Sequence, residues 1–192
     1  MKLSVSFALA TVLLSASVAS AQMPAAPQKI DLSTSLQRAY AGIKLNLTEA
    51  ADKLAEADYQ YRPSPEIRPY GGQFAHTAQA QFGACAVAKG EANPIQGQDL
   101  EKTKTTKADV VKALADSFAY CDPVFAALTD QRALEFVRQG QNEVTRGAVL
   151  ANLITHSNEE YGVITVYIRT KSLVPPSTER QMRGRGMGGR GQ

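Results

Sequence analysis

The chain has 192 residues, of which 44% are hydrophobic, a length and composition typical of one globular domain with its own core. Its net charge of +3 comes from its two ends, because Lys2 lies near the start and Arg180, Arg183, Arg185 and Arg190 lie near the end, leaving more acidic than basic residues between them. This balance excludes the strongly basic folded domains that bind nucleic acids, and we expect no nucleic-acid partner for the folded body.

Residues 1–21 have the pattern of a secretory signal peptide. A short apolar run follows Lys2, and Ala19-Ser20-Ala21 forms a small-residue cleavage site before Gln22. The run is too short and too rich in serine for a membrane-spanning helix, and no later segment approaches membrane length. The sequence predicts an exported protein, periplasmic or secreted, with no membrane span after cleavage. A flexible leader is predicted over residues 22–30.

The first two helices are predicted from apolar residues that recur every three or four positions. Helix one begins near Leu32, capped by Asp31 or Ser33, and runs for about six turns of 3.6 residues. Helix two covers about residues 73–89 and ends at Gly90. The intervening segment contains three prolines and two glycines, which predicts an irregular loop over one end of the fold.

The third and fourth helices follow the same periodicity. Helix three begins after Thr106, the predicted N-cap, and continues to about Leu128, with Pro123 expected to kink or break it. Helix four runs from about Thr145 to Lys171, and the prolines beyond it prevent its continuation.

The connections between these helices, residues 91–105 and 129–143, are polar and predicted to be irregular. No strand-like alternation appears in the sequence. Four helices with connections of varied length predict an all-α fold, a four-helix bundle over residues 31–178.

Residues 179–192 form an arginine- and glycine-rich tail of low complexity. Such a composition cannot build a core, so the tail is predicted to be disordered. It is similar to RGG-type segments that bind RNA, but in an exported protein we interpret it as a solvated end.

Cys85 and Cys121 are the two cysteines of the chain. An even number of cysteines in an exported protein favours a disulfide, which here would join helices two and three. Closing a loop of this length stabilises a protein by about 3–4 kcal/mol in the chain-entropy model. The alternative is a pair of buried free thiols, which are common core residues.

A candidate metal site is indicated on helices two and four. His156 and Glu160 lie one turn apart, so their side chains share a face, and that face also carries apolar residues. A histidine and a glutamate among apolar side chains are costly unless they are paired or coordinated. His76 lies on a small-residue side of helix two and would join them if the two helices pack together. Two histidines and a carboxylate suit zinc, and they also suit non-haem iron or manganese.

The same three side chains have an ordinary interpretation. They can hydrogen-bond to one another inside the bundle, because a histidine followed four residues later by a glutamate is common on helices. Glu159 is a competing carboxylate, one residue closer to His156, and it points to the side of the shared face.

The chain resembles the DinB-like (YfiT-like) metalloprotein superfamily of four-helix bundles, over about residues 32–178. Three segments carry the resemblance: YRPSPEIRPYGGQFAHTAQAQ, KADVVKALADSFAYCDPVF and THSNEEYGVITVYIRTKSLVPPS. The family pattern has one histidine in helix two and an H-x-x-x-H-Y-G sequence in helix four. His76 and His156 match the first two ligand positions, and Glu160 stands where the third histidine is expected.

This departure from the family pattern has two interpretations. Glu160 either preserves a His/His/Glu site, since a carboxylate is a ligand for zinc, nickel, iron or manganese, or the metal site is weakened or lost. We predict the first: a divalent metal of unassigned identity held by His76, His156 and Glu160.

The resemblance implies a metal-dependent enzyme acting on an unknown small molecule. Relatives include metal-dependent S-transferases and an isomerase that use low-molecular-weight thiols. Because those thiols are mostly cytosolic, export favours a metal-dependent hydrolase over a thiol-dependent transferase. The alternative is a non-catalytic exported bundle that binds a ligand or partner and has a degraded metal site. No catalytic residue is assigned, since the sequence has no recognisable nucleophilic triad or phosphate-binding loop.

Four side chains near the predicted site have two interpretations. Arg62, Arg68, Tyr70 and Tyr161 either face the site and bind an anionic substrate, or pack the loop and cap helices, and we favour packing. Arg169 is expected to face solvent. A homodimer is an expectation from the resemblance alone, since no exposed stripe of the sequence indicates one.

Overall fold

A computed structural model of the chain describes residues 27–188, so the predicted signal peptide and residues 22–26 of the predicted leader lie outside the described part. Its helices are α1 (Leu32–Lys53), α2 (Tyr70–Lys89), α3 (Leu100–Thr103), α4 (Lys107–Ala126), α5 (Asp130–Leu134), α6 (Arg146–Thr170) and α7 (Pro176–Gly188). Two strands, β1 (Phe136–Gln139) and β2 (Asn142–Thr145), form an antiparallel hairpin. Within residues 27–188, none of the helices has both the length and the apolar content that crossing a membrane requires.

The long helices α1, α2, α4 and α6 form the bundle, which confirms the predicted all-α four-helix architecture. α2 packs against both α4 and α6, and α1 packs against the same two helices, so α1 and α2 are diagonal to each other. Leu47, Phe74, Leu150 and Ile164, one from each of α1 and α2 and two from α6, are fully buried between them. Burying one such side chain stabilises the fold by about 1.5–3 kcal/mol.

The predicted helix ends are largely confirmed by their capping contacts. Asp31 is the N-cap of α1, and its Oδ1 accepts a hydrogen bond of 2.7 Å from the amide of Thr34. Thr106 caps α4 in the same way, through a 3.2 Å bond from the amide of Asp109. α2 ends at Gly90, whose φ of 74° lies in the left-handed region that glycine adopts without strain.

Two helices differ in detail from the prediction. α2 begins at Tyr70, about a turn earlier than expected, because Gly71 and Gly72 belong to the helix and not to the loop. A Cβ on Gly71 would lie 2.8 Å from Cδ1 of Tyr59, so glycine at this position allows the tyrosine ring to pack closely against the helix. α4 continues through Pro123 to Ala126, so the proline does not break the helix.

The prediction that the chain contains no strands is wrong for residues 136–145. In this hairpin Phe136 pairs with Thr145 and Val137 with Val144, and Gly140, with a φ of 63°, lies in the turn. Each strand has four residues, and only Val137 of β1 is buried. Strands this short contain too few inward-facing residues to produce a recognisable alternation in the sequence.

The prediction that residues 179–192 are disordered is wrong as far as residue 188. Residues 176–188 form α7, which packs on α1, whereas residues 189–192 lie outside the described part. Lys53 donates a 2.6 Å hydrogen bond to Glu179, and Arg180 contacts both Glu49 and Asn46. These contacts hold a segment whose composition alone indicates disorder.

Replacing Lys53 with methionine is expected to loosen α7 without unfolding the bundle. The hydrogen bond from Lys53 lowers the pKa of Glu179 below its ordinary value of 4.5. A lowered pKa means that the carboxylate stabilises the folded state above its ordinary pKa, and that this stabilisation is lost as the pH falls through the lowered value. Amide-exchange protection of α7 should therefore fall about two- to fivefold in the variant at neutral pH. In the wild type the same fall should occur only below pH 4.5.

Lys112→Met is the matched control, because it removes an exposed ion pair with Asp116 on α4, and it should leave α7 unchanged. Equal protection of α7 in Lys53→Met and wild type would show that this pair does not hold the helix.

Candidate metal centre

Three ligand-capable side chains converge where α2 packs against α6: His76 from α2, and His156 and Glu160 from α6. One nitrogen or oxygen atom of each lies within 4.8 Å of the others. The imidazole centroids are 5.1 Å apart, and Nε2 of His76 is 3.7 Å from Oε1 of Glu160. That distance is too long for a hydrogen bond, so His76 and Glu160 lie close together without a direct hydrogen bond between them.

Glu160 is the most deeply placed of the three. The residue is 7% exposed, and its Oε2 atom is buried without a hydrogen-bond partner. The side chains of His76 and His156 are 25% and 31% exposed, so they form the solvent-facing side of the cluster. An unpaired buried carboxylate oxygen destabilises the fold, and a divalent cation is a group that would satisfy it. The residues present therefore fit a metal ion.

A fourth side chain, Glu101 of α3, holds His76 and was not predicted from the sequence. Its Oε1 lies 2.7 Å from Nδ1 of His76, and its Oε2 accepts a 2.8 Å hydrogen bond from Nε of Arg68. Burial acts to raise the pKa of Glu101, but the hydrogen bonds from Arg68 and His76 outweigh it and lower that pKa. Glu101 lies in a segment predicted to be irregular, where no periodicity indicates which way its side chain points.

Two of the four side chains predicted near the site, Tyr70 and Tyr161, pack as the favoured interpretation expects. Tyr70 is fully buried and its hydroxyl donates to the carbonyl of Ala50, while Arg62 is exposed. The hydroxyl of Tyr161 accepts a 3.1 Å hydrogen bond from the amide of Ser177, which fixes the start of α7. Arg68 differs, because it contacts Glu101 and is linked through it to His76.

A buried hydrogen-bond chain ties the loop before α2 to α6. Nε2 of Gln73 donates to the hydroxyl of Tyr167 at 3.0 Å, and that hydroxyl donates to the carbonyl of Arg68 at 2.6 Å. A carbonyl only accepts, so the tyrosine proton is used there and Gln73 must present its amide nitrogen to the tyrosine. Oε1 of Gln73 is consequently left buried without a partner.

Replacing Tyr167 with phenylalanine is expected to lower the free energy of unfolding by about 1–3 kcal/mol, because the Gln73 amide and the Arg68 carbonyl lose their shared partner. Urea unfolding followed by circular dichroism measures this change. Tyr61→Phe is the control, since the hydroxyl of Tyr61 donates a 3.1 Å hydrogen bond to Oγ1 of Thr170 at the protein surface. Equal changes in the free energy of unfolding for the two substitutions would show that the buried hydrogen bonds of Tyr167 stabilise the fold no more than the exposed one of Tyr61.

One cavity within the described residues lies away from the histidine cluster. It has a volume of about 210 Å³, lies near the end of α2, and is lined in part by Lys89, Arg132 and Arg146, but by none of the three clustered side chains. Arg146 there donates to the carbonyl of Ala88 at 2.8 Å and pairs with Glu135. Its charge serves the fold, so the histidine cluster remains the candidate site.

Comparisons with known proteins agree with this architecture. The family model described as the DinB superfamily matches residues 45–164. A DinB-like protein from Bacillus cereus is similar in structure, with 15% identity, a TM-score of 0.62 and coverage of 73% of this chain and 93% of that one. The DinB-like protein YjoA from Bacillus subtilis has 19% identity, a TM-score of 0.58 and coverage of 72% and 92%.

A conserved protein from Enterococcus faecalis is also similar, with 14% identity, a TM-score of 0.59 and coverage of 73% of this chain and 97% of that one. At these identities the likeness to solved structures establishes the fold alone. No curated protein matches the sequence.

Proposed function

Because the chain belongs to the DinB superfamily, we propose that it is an exported member that holds a divalent metal ion between His76, His156 and Glu160. The observation that carries the proposal is the buried, unpartnered Oε2 of Glu160 in a cluster with two imidazoles. Glu160 thus replaces the third histidine of the family pattern as an anionic ligand. Zinc, nickel, iron and manganese all accept this donor set.

The number of ligands favours a reactive centre over a structural one. Structural zinc sites are closed by four protein ligands, whereas catalytic sites use three and leave a position open. When bound, the ion would supply Lewis-acid chemistry to a substrate or a water molecule. The protein would supply a carboxylate at the buried side of the centre and two imidazoles at its exposed side.

Export is supported by two independent features. The N-terminal sequence has the pattern of a signal peptide, and Cys85 and Cys121 form a disulfide with their Cα atoms 5.4 Å apart. Disulfides are typical of oxidising compartments such as the periplasm. We therefore favour metal-dependent hydrolysis of a small molecule over transfer to a cytosolic thiol.

Metal content tests this proposal. Protein purified without chelators or a histidine tag should contain close to one equivalent of metal by plasma mass spectrometry. The His156→Ala and Glu160→Ala variants should lose it, because each removes a ligand. Glu159→Ala is the control, since the Glu159 side chain is 73% exposed and lies outside the cluster.

The outcomes separate the competing interpretations. Metal that survives Glu160→Ala would remove Glu160 from the ligand set. A wild type that binds none of the four ions after reconstitution would contradict the metal proposal and leave a non-catalytic bundle. Metal binding with no activity on ester, amide and phosphoester substrates would contradict the hydrolase proposal alone.

A further inference from the structure

The two histidines of the cluster have unequal surroundings. Nδ1 of His76 lies 2.7 Å from Glu101, a carboxylate that is itself held by Arg68. The carboxylate beside Nδ1 of His156 is Glu159, at 4.0 Å and 73% exposed. Only the first distance is a hydrogen bond, so one imidazole is oriented by a charged partner and the other is not.

The position of Glu101 is fixed by the fold of α3. Leu100, the preceding residue, is 2% exposed and packs in a small apolar cluster. Its amide donates a 2.8 Å hydrogen bond to Oε1 of Gln79 on α2, and Asp99 caps the helix through the amide of Lys102. The four residues of α3 are therefore seated on α2, and Glu101 is directed at His76.

The partner of Glu101 is also fixed. The backbone carbonyl of Arg68 accepts the 2.6 Å hydrogen bond from Tyr167, which places this residue against α6. Its Nε then donates to Glu101 on the side opposite His76. The carboxylate of Glu101 is thus held between Nε of Arg68, in the loop, and Nδ1 of His76, on α2.

We propose that Glu101 is a positioning residue that fixes His76 as the Nδ1–H tautomer, with Arg68 holding it in place. An ionised carboxylate only accepts hydrogen bonds, so the imidazole proton must lie on Nδ1 and the lone pair of Nε2 is directed to the side on which Glu160 lies. A carboxylate on the second imidazole nitrogen also makes the first a better ligand. This role rests on the proposed metal site, in which His76 is the oriented ligand and His156 the adjustable one.

The glutamine variant of Glu101 gives the sharpest test. A glutamine amide has one oxygen and one NH2 group, and Arg68 can only donate, so the amide oxygen turns to Arg68 and the NH2 group faces Nδ1 of His76. Nδ1 must then accept, and the proton moves to Nε2. Glu101→Gln is therefore expected to invert the tautomer of His76 with almost no change in volume.

Nitrogen-15 NMR of the metal-free protein at about pH 8, where an ordinary histidine is neutral, reads the tautomer directly. The wild type should show the Nδ1–H form at His76 and Glu101→Gln the Nε2–H form. Glu159→Gln is the matched control and should leave His76 unchanged. An Nε2–H tautomer in the wild type, or no inversion in Glu101→Gln, would overturn the proposal.

Metal affinity supplies the second readout. Competition with a chromophoric chelator should give Glu101→Gln a zinc Kd about 10–100-fold weaker than wild type. Glu159→Gln should change it by about twofold or less, the scale of an exposed pair on a helix. A zinc Kd equally unchanged in both variants would overturn the positioning role. A wild type that shows the Nδ1–H tautomer but binds no metal would support the orientation of His76 while contradicting the proposed metal function.

Discussion

Replacing Glu160 with methionine is expected to stabilise the metal-free protein and to abolish its stabilisation by metal. The substitution removes a buried carboxylate with an unpaired oxygen and puts an apolar side chain of similar length in its place. The relief should be about 1–3 kcal/mol in the free energy of unfolding. In the wild type, metal at 100 times its Kd should add about 2.7 kcal/mol, and in the variant it should add almost nothing. Urea unfolding with chelator and with added metal measures both changes.

Glu159→Met is the matched control, because the neighbouring glutamate is exposed and both effects should be absent from it. A metal-free Glu160→Met protein that is less stable than wild type would mean that the carboxylate stabilises the fold without metal. The cluster would then be an ordinary polar patch of the bundle. A variant that is still stabilised by metal would show that the ligands lie elsewhere.

The clustering of these three side chains could be predicted because two of them lie on the same helix. His156 and Glu160 share a face of α6 through the helical period, which requires no knowledge of the tertiary structure. His76 is different, since its proximity depends on α2 packing against α6. The histidine pattern of the resembled family indicated that pairing, and the distances within the cluster now show it.

Glu101 could not be predicted in the same way. It reaches His76 because Leu100 is buried against α2 and the amide of Leu100 donates a hydrogen bond to Gln79. Neither of these tertiary contacts has a local signal in the sequence. The docking of α7 is a similar case: its composition indicates disorder, and specific contacts to Lys53 and Glu49 override that tendency. Periodicity places the long helices, whereas these short elements depend on individual pairs.

Removing the disulfide between Cys85 and Cys121 is expected to lower the free energy of unfolding by about 3–4 kcal/mol. The bridge joins α2 to α4 across a sequence separation of 36 residues, and both sulfur-bearing residues are fully buried. In the chain-entropy model a cross-link acts by restricting the unfolded chain, and a loop of this length gives an effect of that size. Unfolding of the Cys85→Ala/Cys121→Ala variant in urea measures the loss, and reduced wild type should show a loss of similar size.

The bridge and the metal centre should be energetically separate. Cys85 lies about 13 Å along α2 from His76, at 1.5 Å per residue, and independent sites at such distances usually contribute additively. The double alanine variant should therefore lose stability while keeping its metal Kd, the converse of Glu160→Met, which should lose metal and gain stability. A metal Kd that weakens when the bridge is removed would mean that the α2–α4 contact also sets the position of His76. A loss of stability below about 1 kcal/mol would instead show that residual structure already restricts the unfolded chain without the cross-link.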